Sequence, residues 1–247
     1  NTAMATNEYI KRSMGHRDYG MTGVQFVVNH ELGNHSLEYG YRRHKDYRSR
    51  ADSGFSQRYT KDTNGTMSLL SEHGNDNSRF TDAELKDTDA VSYHLKDTIT
   101  SGAFTHQLGI RHEDMENNDG INSAPGNQSG KKDLDRDATM IAASTVFRAG
   151  PGMQLYASYN QGHSPVDAGS GASVQPEESD NYEVGFRKES AGGFMEVIAF
   201  LNDYEQLNET CLEAGGCTGS TGSTTNKGKA EVKGIEFQYR VNNLFAA

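Results

Sequence analysis

The chain has 247 residues, a formal net charge of -10 at pH 7 and a hydrophobic fraction of only 34%. An acidic chain without clustered Lys and Arg is a poor partner for nucleic acid, because binding to phosphates depends on such clusters. No apolar run approaches the roughly 18 residues of a membrane-spanning helix. The 12 Tyr and 10 Phe residues, together with a regular hydrophobic period, argue against a disordered chain.

Apolar and polar residues alternate along several segments, with the period of two that is typical of a β-strand with one apolar face. These segments come in pairs joined by tight turns at 31–34, 101–103, 150–153 and 190–193. The pattern predicts about nine strands. They are 21–30, 35–48, 90–100, 104–113, 138–148, 154–161, 181–188, 194–204 and 229–241.

The connections between the strands alternate in length. Tight turns recur at one end, whereas long polar stretches at 46–89, 114–137, 162–180 and 208–227 form the other end. Outer-membrane barrels have this asymmetry, with short periplasmic turns and long extracellular loops. We therefore predict an all-β fold, an antiparallel transmembrane β-barrel. Closed bacterial barrels of one chain have an even number of strands, so an odd number indicates either a missing terminal strand or part of a larger barrel.

Three segments resemble late barrel strands of the TonB-dependent outer-membrane receptors, and they follow one another in the order found in that family. They are 154–162 (QLYASYNQG), 176–187 (PEESDNYEVGFR) and 233–237 (KGIEF). The resemblance implies a barrel of about 22 strands closed by a plug domain. Residues 1–247 would form part of that barrel, without the plug domain and the remaining strands. The resemblance also implies a location in the bacterial outer membrane.

The same resemblance implies a function, the TonB-dependent uptake of an iron chelate such as a siderophore or ferric citrate. The expected partners are the ferric chelate or another scarce small nutrient, outer-membrane lipid, the protein's own plug domain and the TonB complex. No cofactor and no nucleic acid are expected. The strand pattern alone is also compatible with a passive porin or surface-binding barrel, and with a secreted β-sandwich that binds carbohydrate.

Motifs of common enzymes are not found in the sequence. It has no His-Glu-x-x-His pair for a catalytic zinc ion and no Gly-x-Ser-x-Gly nucleophile elbow. The acidic segments 114–120 and 133–137 do not have the spacing of an EF-hand calcium loop. We therefore expect no catalytic residues, no metal site and no enzymatic activity.

Charged side chains share one face of the predicted strands, opposite the apolar residues. In a membrane barrel such a face looks into the lumen, where its groups are solvated, pair across strands or bind the plug domain. The predicted lumen-lining residues are Glu38, Arg42, Arg111, Glu183, Arg187, Glu236 and Arg240.

Groups that bind a ligand are expected in the long loops, because loops on a rigid scaffold carry most binding residues. The oxygens of an anionic metal chelate accept hydrogen bonds from guanidinium, phenol, imidazole and amide groups. The candidates that offer these groups are Arg58, Tyr59, Arg79, Gln161 and His163.

The two cysteines, Cys211 and Cys217, are separated by Leu-Glu-Ala-Gly-Gly in a segment rich in Gly, Ser and Thr. No His or further Cys lies near enough in the sequence to complete a zinc site. We interpret the pair as a disulfide within a loop, which favours an oxidising compartment. A reduced pair without a role is the alternative.

Overall fold

The computed structural model describes residues 10–73, 82–122, 129–166, 168–170, 173–211 and 223–242. In these ranges the chain forms strands and one short 3₁₀ helix, and none of its helices could cross a membrane. The strands are β1 Ile10–Leu32, β2 His35–Lys61, β3 Met67–His73, β4 Asp82–Ser101, β5 Phe104–Asn122, β6 Ser129–Gly150, β7 Met153–Ser164, β8 Glu177–Ser190, β9 Gly193–Thr210 and β10 Thr224–Val241. The 3₁₀ helix, Ala168–Ser170, lies between β7 and β8.

The strands form one sheet in the order β1-β2-β4-β5-β6-β7-β8-β9-β10, and β3 pairs with β2 alone. Each strand on this path is a neighbour of the next one along the chain, as in an up-and-down barrel. The nine predicted strands are confirmed, and β3 is an additional one. It folds back along the end of β2 through a turn in which Asp62 Oδ1 accepts hydrogen bonds from the backbone amides of Asn64 and Thr66.

The strands are longer than the hydrophobic pattern indicates. β5 runs to Asn122 and β6 begins at Ser129, so most of the predicted loop 114–137 is strand. The other predicted loops shorten in the same way, and β1 begins at Ile10. A strand satisfies its backbone groups by pairing, whatever its side chains are. Where both faces of the sheet meet water, the alternation of apolar and polar residues disappears although the pairing continues.

The described chain divides into two compact units. The first contains the described residues of 1–22, 45–89 and 117–134, and the second contains those of 23–44, 90–116 and 135–247. In the first unit Lys86 lies 3.4 Å from Glu84 and 3.5 Å from the buried carboxylate of Asp119. The second unit contains the four tight turns and the strands β7 to β10.

In the second unit the register aligns apolar residues in rows across the strands β6 to β10. One row is Phe147, Leu155, Phe186, Val197 and Phe237, and the next is Thr145, Ala157, Val184, Ala199 and Ile235. We call this side of the sheet the apolar face. Its side chains are exposed, to 66% for Phe237 and 77% for Ile235. Exposure to water is unfavourable by about 25 cal/mol per Å² of apolar surface, whereas contact with lipid is not.

Tyrosines mark the end of the apolar face that lies away from the tight turns. The rings of Tyr159 and Tyr182 face each other across β7 and β8 with centroids 5.1 Å apart, and those of Tyr41 and Tyr93 are 5.3 Å apart. Aromatic residues at the boundary between lipid and water are typical of membrane barrels. The segments between the tight turns and these tyrosines are therefore the membrane-spanning part.

The opposite side of the sheet carries a small cluster of buried apolar residues. Ala90, Met115 and Ala138 are buried there, with Met140 packed against them. A β-sandwich would bury its large apolar side chains against a second sheet. The buried apolar residues of the described strands are few and mostly small, whereas large ones such as Phe237 and Ile235 are exposed, which disagrees with the sandwich alternative.

We expect Gly152→Ala to destabilise the folded barrel. Gly152 has a φ of 68°, and a Cβ at this position would overlap the backbone carbonyl of Glu189. The left-handed conformation alone costs an L-residue about 1–2 kcal/mol. A lower urea concentration at the midpoint of unfolding, measured in detergent micelles, is the expected result.

Alanine substitutions at two other glycines distinguish the effect of backbone strain on stability from that of steric overlap. Gly102 has a φ of 57° with open space around it, so Gly102→Ala carries the strain alone. Gly150 has open space and no positive φ, so Gly150→Ala should unfold like the wild type. Equal midpoints for Gly150→Ala and Gly152→Ala would contradict this account of the turn.

Candidate functional site

The side of the second unit opposite the apolar face carries a dense set of charged residues, and we call it the polar wall. All seven residues predicted to line the lumen lie on it. Their role in lining a passage stays a prediction. The polar wall includes the side chains of Glu38, His94, Lys96, Arg111, Glu113, Tyr156, Arg187, Phe194, Glu196 and Arg240.

Glu38 is the centre of a charged cluster on β2 and β4. Its carboxylate oxygens lie 3.1 Å from Lys96 Nζ and 3.3 Å from His94 Nε2. The imidazole ring of His94 occupies the space above Gly40, where any Cβ would overlap it. The absence of a side chain at Gly40 therefore leaves room for the His94 ring on the polar wall. Gly40 is not part of a turn.

Arg111 is held between two partners on the same side of the sheet. Its Nη2 donates a hydrogen bond to Ser92 Oγ at 3.0 Å, and its Nε donates one to Glu113 Oε1 at 2.9 Å. A cavity of about 370 Å³ adjoins Arg111. Small residues of β5 and β6 contribute to its lining, namely Gly109, Ala142 and Ser144. The polar wall thus combines fixed cations with space above small side chains.

Glu196 is the most buried charged residue of the polar wall, with 8% of its surface exposed. Its Oε1 accepts hydrogen bonds from Arg187 Nε at 2.9 Å and from the Tyr156 hydroxyl at 3.1 Å. The Tyr156 ring lies over Gly185, where a Cβ would overlap it. One carboxylate therefore orients side chains of β7 and β8.

Phe194 lies between two guanidinium groups. The Cζ atoms of Arg187 and Arg240 are 5.9 Å and 5.6 Å from the centre of its ring. Cation–π contacts of this length are attractive and keep the guanidinium planes in place. They leave the cationic groups of β8 and β10 at defined positions on the polar wall.

Glu196, Tyr156 and Phe194 were not among the site residues predicted from the sequence. Glu196 could have been found from the turn at 190–193. In a tight hairpin where Ser190 faces Gly193, the register also places Arg187 opposite Glu196. Opposite charges at facing positions of a strand pair stabilise it. Tyr156 and Phe194 follow only from the packing of their rings, which the sequence pattern does not contain.

Beyond the tyrosines the apolar face becomes acidic. Gln161, Asp180, Asp203 and Glu231 face one another in a row, and Glu178 faces Glu205 in the next row. Lys229 donates a hydrogen bond to Glu205, and this carboxylate raises the pKa of the ammonium group. Like charges at directly facing positions are destabilising. Lys233 likewise donates a hydrogen bond to Glu231, so lysines offset part of the repulsion between the carboxylates on this outward surface just outside the membrane.

His163 was predicted in the loop 162–180, and this location is wrong, because β7 includes it as well as Gln161, the last residue of the predicted strand 154–161. The Gln161 side chain accepts a hydrogen bond from Ile141 N at 3.2 Å and lies 3.4 Å from Asp180. A cavity of about 320 Å³ has both residues in its lining, together with Glu178 and other polar groups. Alternation along β7 places them on the same side as Tyr159, and their role in ligand binding stays a prediction.

Arg58 and Tyr59 are also strand residues, and they lie in the first unit. They face Ser71 and Leu69 of β3, and the Tyr59 hydroxyl donates a hydrogen bond to Gln57 Oε1 at 2.6 Å. Arg58 and Tyr59 are thus consecutive residues of β2 in the first unit, and Gln161 and His163 lie on one side of β7 in the second unit. Arg79 lies outside the described residues.

Of the two cysteines, only Cys211 is among the described residues. It is 1% exposed, and its backbone amide donates a hydrogen bond to the carbonyl of Ser223 at 2.8 Å. Cys217 lies outside the described residues, so the disulfide stays a prediction.

Removal of the Glu196 carboxylate should destabilise the barrel. In Glu196→Ala, Arg187 and Tyr156 lose their common acceptor inside a partly buried network, which costs about 1–3 kcal/mol. The urea midpoint of unfolding in micelles measures the loss. Glu183→Ala removes an exposed carboxylate from the same side of the sheet and should change the midpoint little. A loss as large in Glu183→Ala would contradict a specific role for Glu196.

Removal of one charge from the acidic row should stabilise the protein. Asp203 faces Asp180 on one side and Glu231 on the other, so Asp203→Asn relieves two like-charge contacts, by about 0.2–1 kcal/mol. It gives up only a weaker attraction to Lys229, whose main partner is Glu205. We expect a higher unfolding midpoint at low salt and a smaller gain at high salt. Asp203→Glu keeps the charge and should show no gain. A lower midpoint for Asp203→Asn would contradict net repulsion in this row.

The family described as "TonB dependent receptor-like, beta-barrel" matches residues 2–247. No curated protein sequence matches the chain. Among solved structures, the unliganded ferric citrate transporter FecA has a TM-score of 0.66 at 19% identity and covers 95% of this chain, which spans 34% of FecA.

Two further structures have the same fold. The siderophore receptor PiuA from Acinetobacter baumannii has a TM-score of 0.62 at 16% identity, with 92% of this chain and 36% of PiuA covered. The ferric yersiniabactin uptake receptor FyuA from Yersinia pestis has a TM-score of 0.61 at 15% identity, with 99% and 35% covered. The chain spans about a third of each of these structures. It belongs to the family of TonB-dependent receptors, as part of a β-barrel that resides in the bacterial outer membrane.

Proposed function

We propose that this chain is the barrel section of a receptor that takes up an iron chelate, a siderophore or ferric citrate, in a TonB-dependent manner. The observation that carries the proposal is the polar wall, where cationic side chains are held in place behind a lipid-facing apolar surface. The family supplies the class of receptor, and the chemistry of the polar wall supplies the class of ligand.

The cations of the polar wall suit an anionic ligand. Arg111 is oriented by Ser92 and Glu113, and Arg187 by Glu196. Guanidinium groups that are already oriented lose less freedom when they bind carboxylate or catecholate oxygens. The carboxylates between them keep the wall close to neutral, so an anion meets local attraction without being trapped. This arrangement favours passage of an anionic chelate along the wall.

Structures with this fold support a metal chelate as cargo. They are described as a ferric citrate transporter, a siderophore receptor and, at 10% identity and a TM-score of 0.64, the copper transporter OprC. Ferric iron is named for FecA and for the yersiniabactin receptor FyuA, and we propose iron here. The proposed partners are a plug domain in the same protein and the TonB complex, neither of which is included in the 247 residues.

Uptake of radiolabelled iron tests the proposal. Cells that lack the receptor are compared with cells that express it, on ferric citrate and on a ferric catecholate in separate assays. We expect receptor-dependent uptake of one chelate, and we expect it to stop in cells that lack TonB, because a plugged barrel needs energy to open.

Uptake that continues without TonB, together with ion conductance of the purified protein in planar bilayers, would favour a passive porin instead. Uptake of neither chelate in an iron-limited medium would contradict iron chelates as cargo. A small sugar taken up equally by both strains serves as the control for general leakage of the outer membrane.

A further inference from the structure

The connection between β7 and β8, residues 165–176, is packed against the protein although it lies outside the membrane-spanning segments. Its described apolar residues Val166, Ala168 and Val174 are 5%, 4% and 6% exposed. A connection of this length at a strand end is normally a solvated loop. The burial shows that this one has specific neighbours.

One attachment point lies on β6. Arg136 Nη2 donates a hydrogen bond to the backbone carbonyl of Val174 at 3.0 Å. Arg136 shares its side of β6 with Ala142 and Ser144, which face the wall residues Asn160 and Ser158 of β7. The connection therefore folds over the side of the sheet that carries the polar wall and not over the lipid-facing side.

The second attachment point is Asn226 on β10. Its Oδ1 accepts a hydrogen bond from Gln175 N at 2.8 Å, and its Nδ2 donates one to Gln175 O at 2.9 Å. The side-chain amide thus binds both backbone groups of one residue, as a neighbouring strand would. Nδ2 also lies 2.9 Å from Gln206 O and from Asn208 Oδ1. Asparagine alone supplies this donor and acceptor at this distance from the backbone.

The strands under Asn226 are irregular at this point. The register of β9 and β10 shifts on both sides of Gly228, and Gln206 has a φ of 57°. A non-glycine residue in this conformation is under strain and persists only where surrounding contacts hold it. The bond from Asn226 to Gln206 O is such a contact. The irregular strand pair and the attached connection therefore depend on the same side chain.

We propose that Asn226 is a positioning residue that fastens the β7–β8 connection over the polar wall, so that the connection is a fixed boundary of the ligand path and not a free loop. Arg136 supplies the second fastening. The attachment itself follows from the contacts above, whereas its effect on the ligand rests on the proposed function.

Hydrogen exchange measured on the whole receptor in micelles tests the attachment. In Asn226→Ala the Gln175 amide loses its acceptor, and peptides that cover 173–177 should exchange about tenfold faster. Asn226→Asp keeps an acceptor for the Gln175 amide but loses the donor to the Gln175 carbonyl. It also places a carboxylate near three oxygens, those of Gln175, Gln206 and Asn208, so the connection should be released in this variant as well. Asn242→Ala is the matched control, because Asn242 lies at the other end of β10, where its amide is 3.5 Å from the Ala191 carbonyl.

Faster exchange at 173–177 in both Asn226 variants, with the control unchanged, is the expected result. Exchange that stays at the wild-type rate in Asn226→Ala would overturn the attachment. An equal rise over all strands would mean that the variant is unfolding, and would also overturn a local role. The urea midpoint, recorded for the same samples, distinguishes these cases.

Uptake kinetics test the effect on the ligand. If the connection borders the ligand path, Asn226→Ala should raise the KM for the chelate several-fold and leave the maximal rate within about twofold, because release of a boundary alters ligand capture and not energy coupling. An unchanged KM in a variant with fast exchange would overturn the positioning role. If the wild type takes up no iron chelate, the proposed function fails, and the exchange data still decide the attachment.

Discussion

The structure depends on one requirement, that every backbone amide and carbonyl inside the lipid layer has a partner within the protein. Antiparallel strands meet it by pairing with both neighbours, and this pairing leaves the side chains to alternate between two environments. In the second unit the register from β6 to β10 is regular through the membrane-spanning part, apart from one irregularity between Arg148 and Gly150 beside the tight turn. Rows such as the one from Phe147 to Phe237 follow directly from it. The apolar face and the polar wall are therefore two results of one constraint.

The polar wall takes its order from the tight turns. A two-residue turn between β8 and β9 decides which residues face each other, and so it places Arg187 opposite Glu196. Glycines then create room for large polar side chains, as Gly185 does for Tyr156 and Gly40 for His94. A partly buried charge without a partner is unfavourable, and here the charged side chains bond to one another. The wall can therefore be both polar enough for a hydrated ligand and fixed enough to orient its cations.

Outside the lipid layer the requirement for complete pairing is relaxed, because water can satisfy the backbone. The strands nevertheless continue, and side chains replace the hydrophobic rows as the source of order. Asn226 and Arg136 belong to this region. Facing carboxylates such as Asp180 and Asp203 are tolerated there, since water and salt screen their repulsion. The parts of the receptor that meet the outside medium are thus held by individual polar contacts.

The sequence by itself determined the strands that cross the membrane, their pairing and the side on which the charges lie. Alternation of period two and the tight turns are local, and the lipid layer imposes them on each strand separately. It did not determine the lengths of the strands beyond the membrane, where alternation is lost and a loop was wrongly predicted for residues such as His163. Nor did it reveal Glu196 as a centre of the polar wall, or Asn226 as an attachment for the β7–β8 connection. These roles depend on contacts between residues far apart in the chain, and such contacts exist only after the sheet has brought them together.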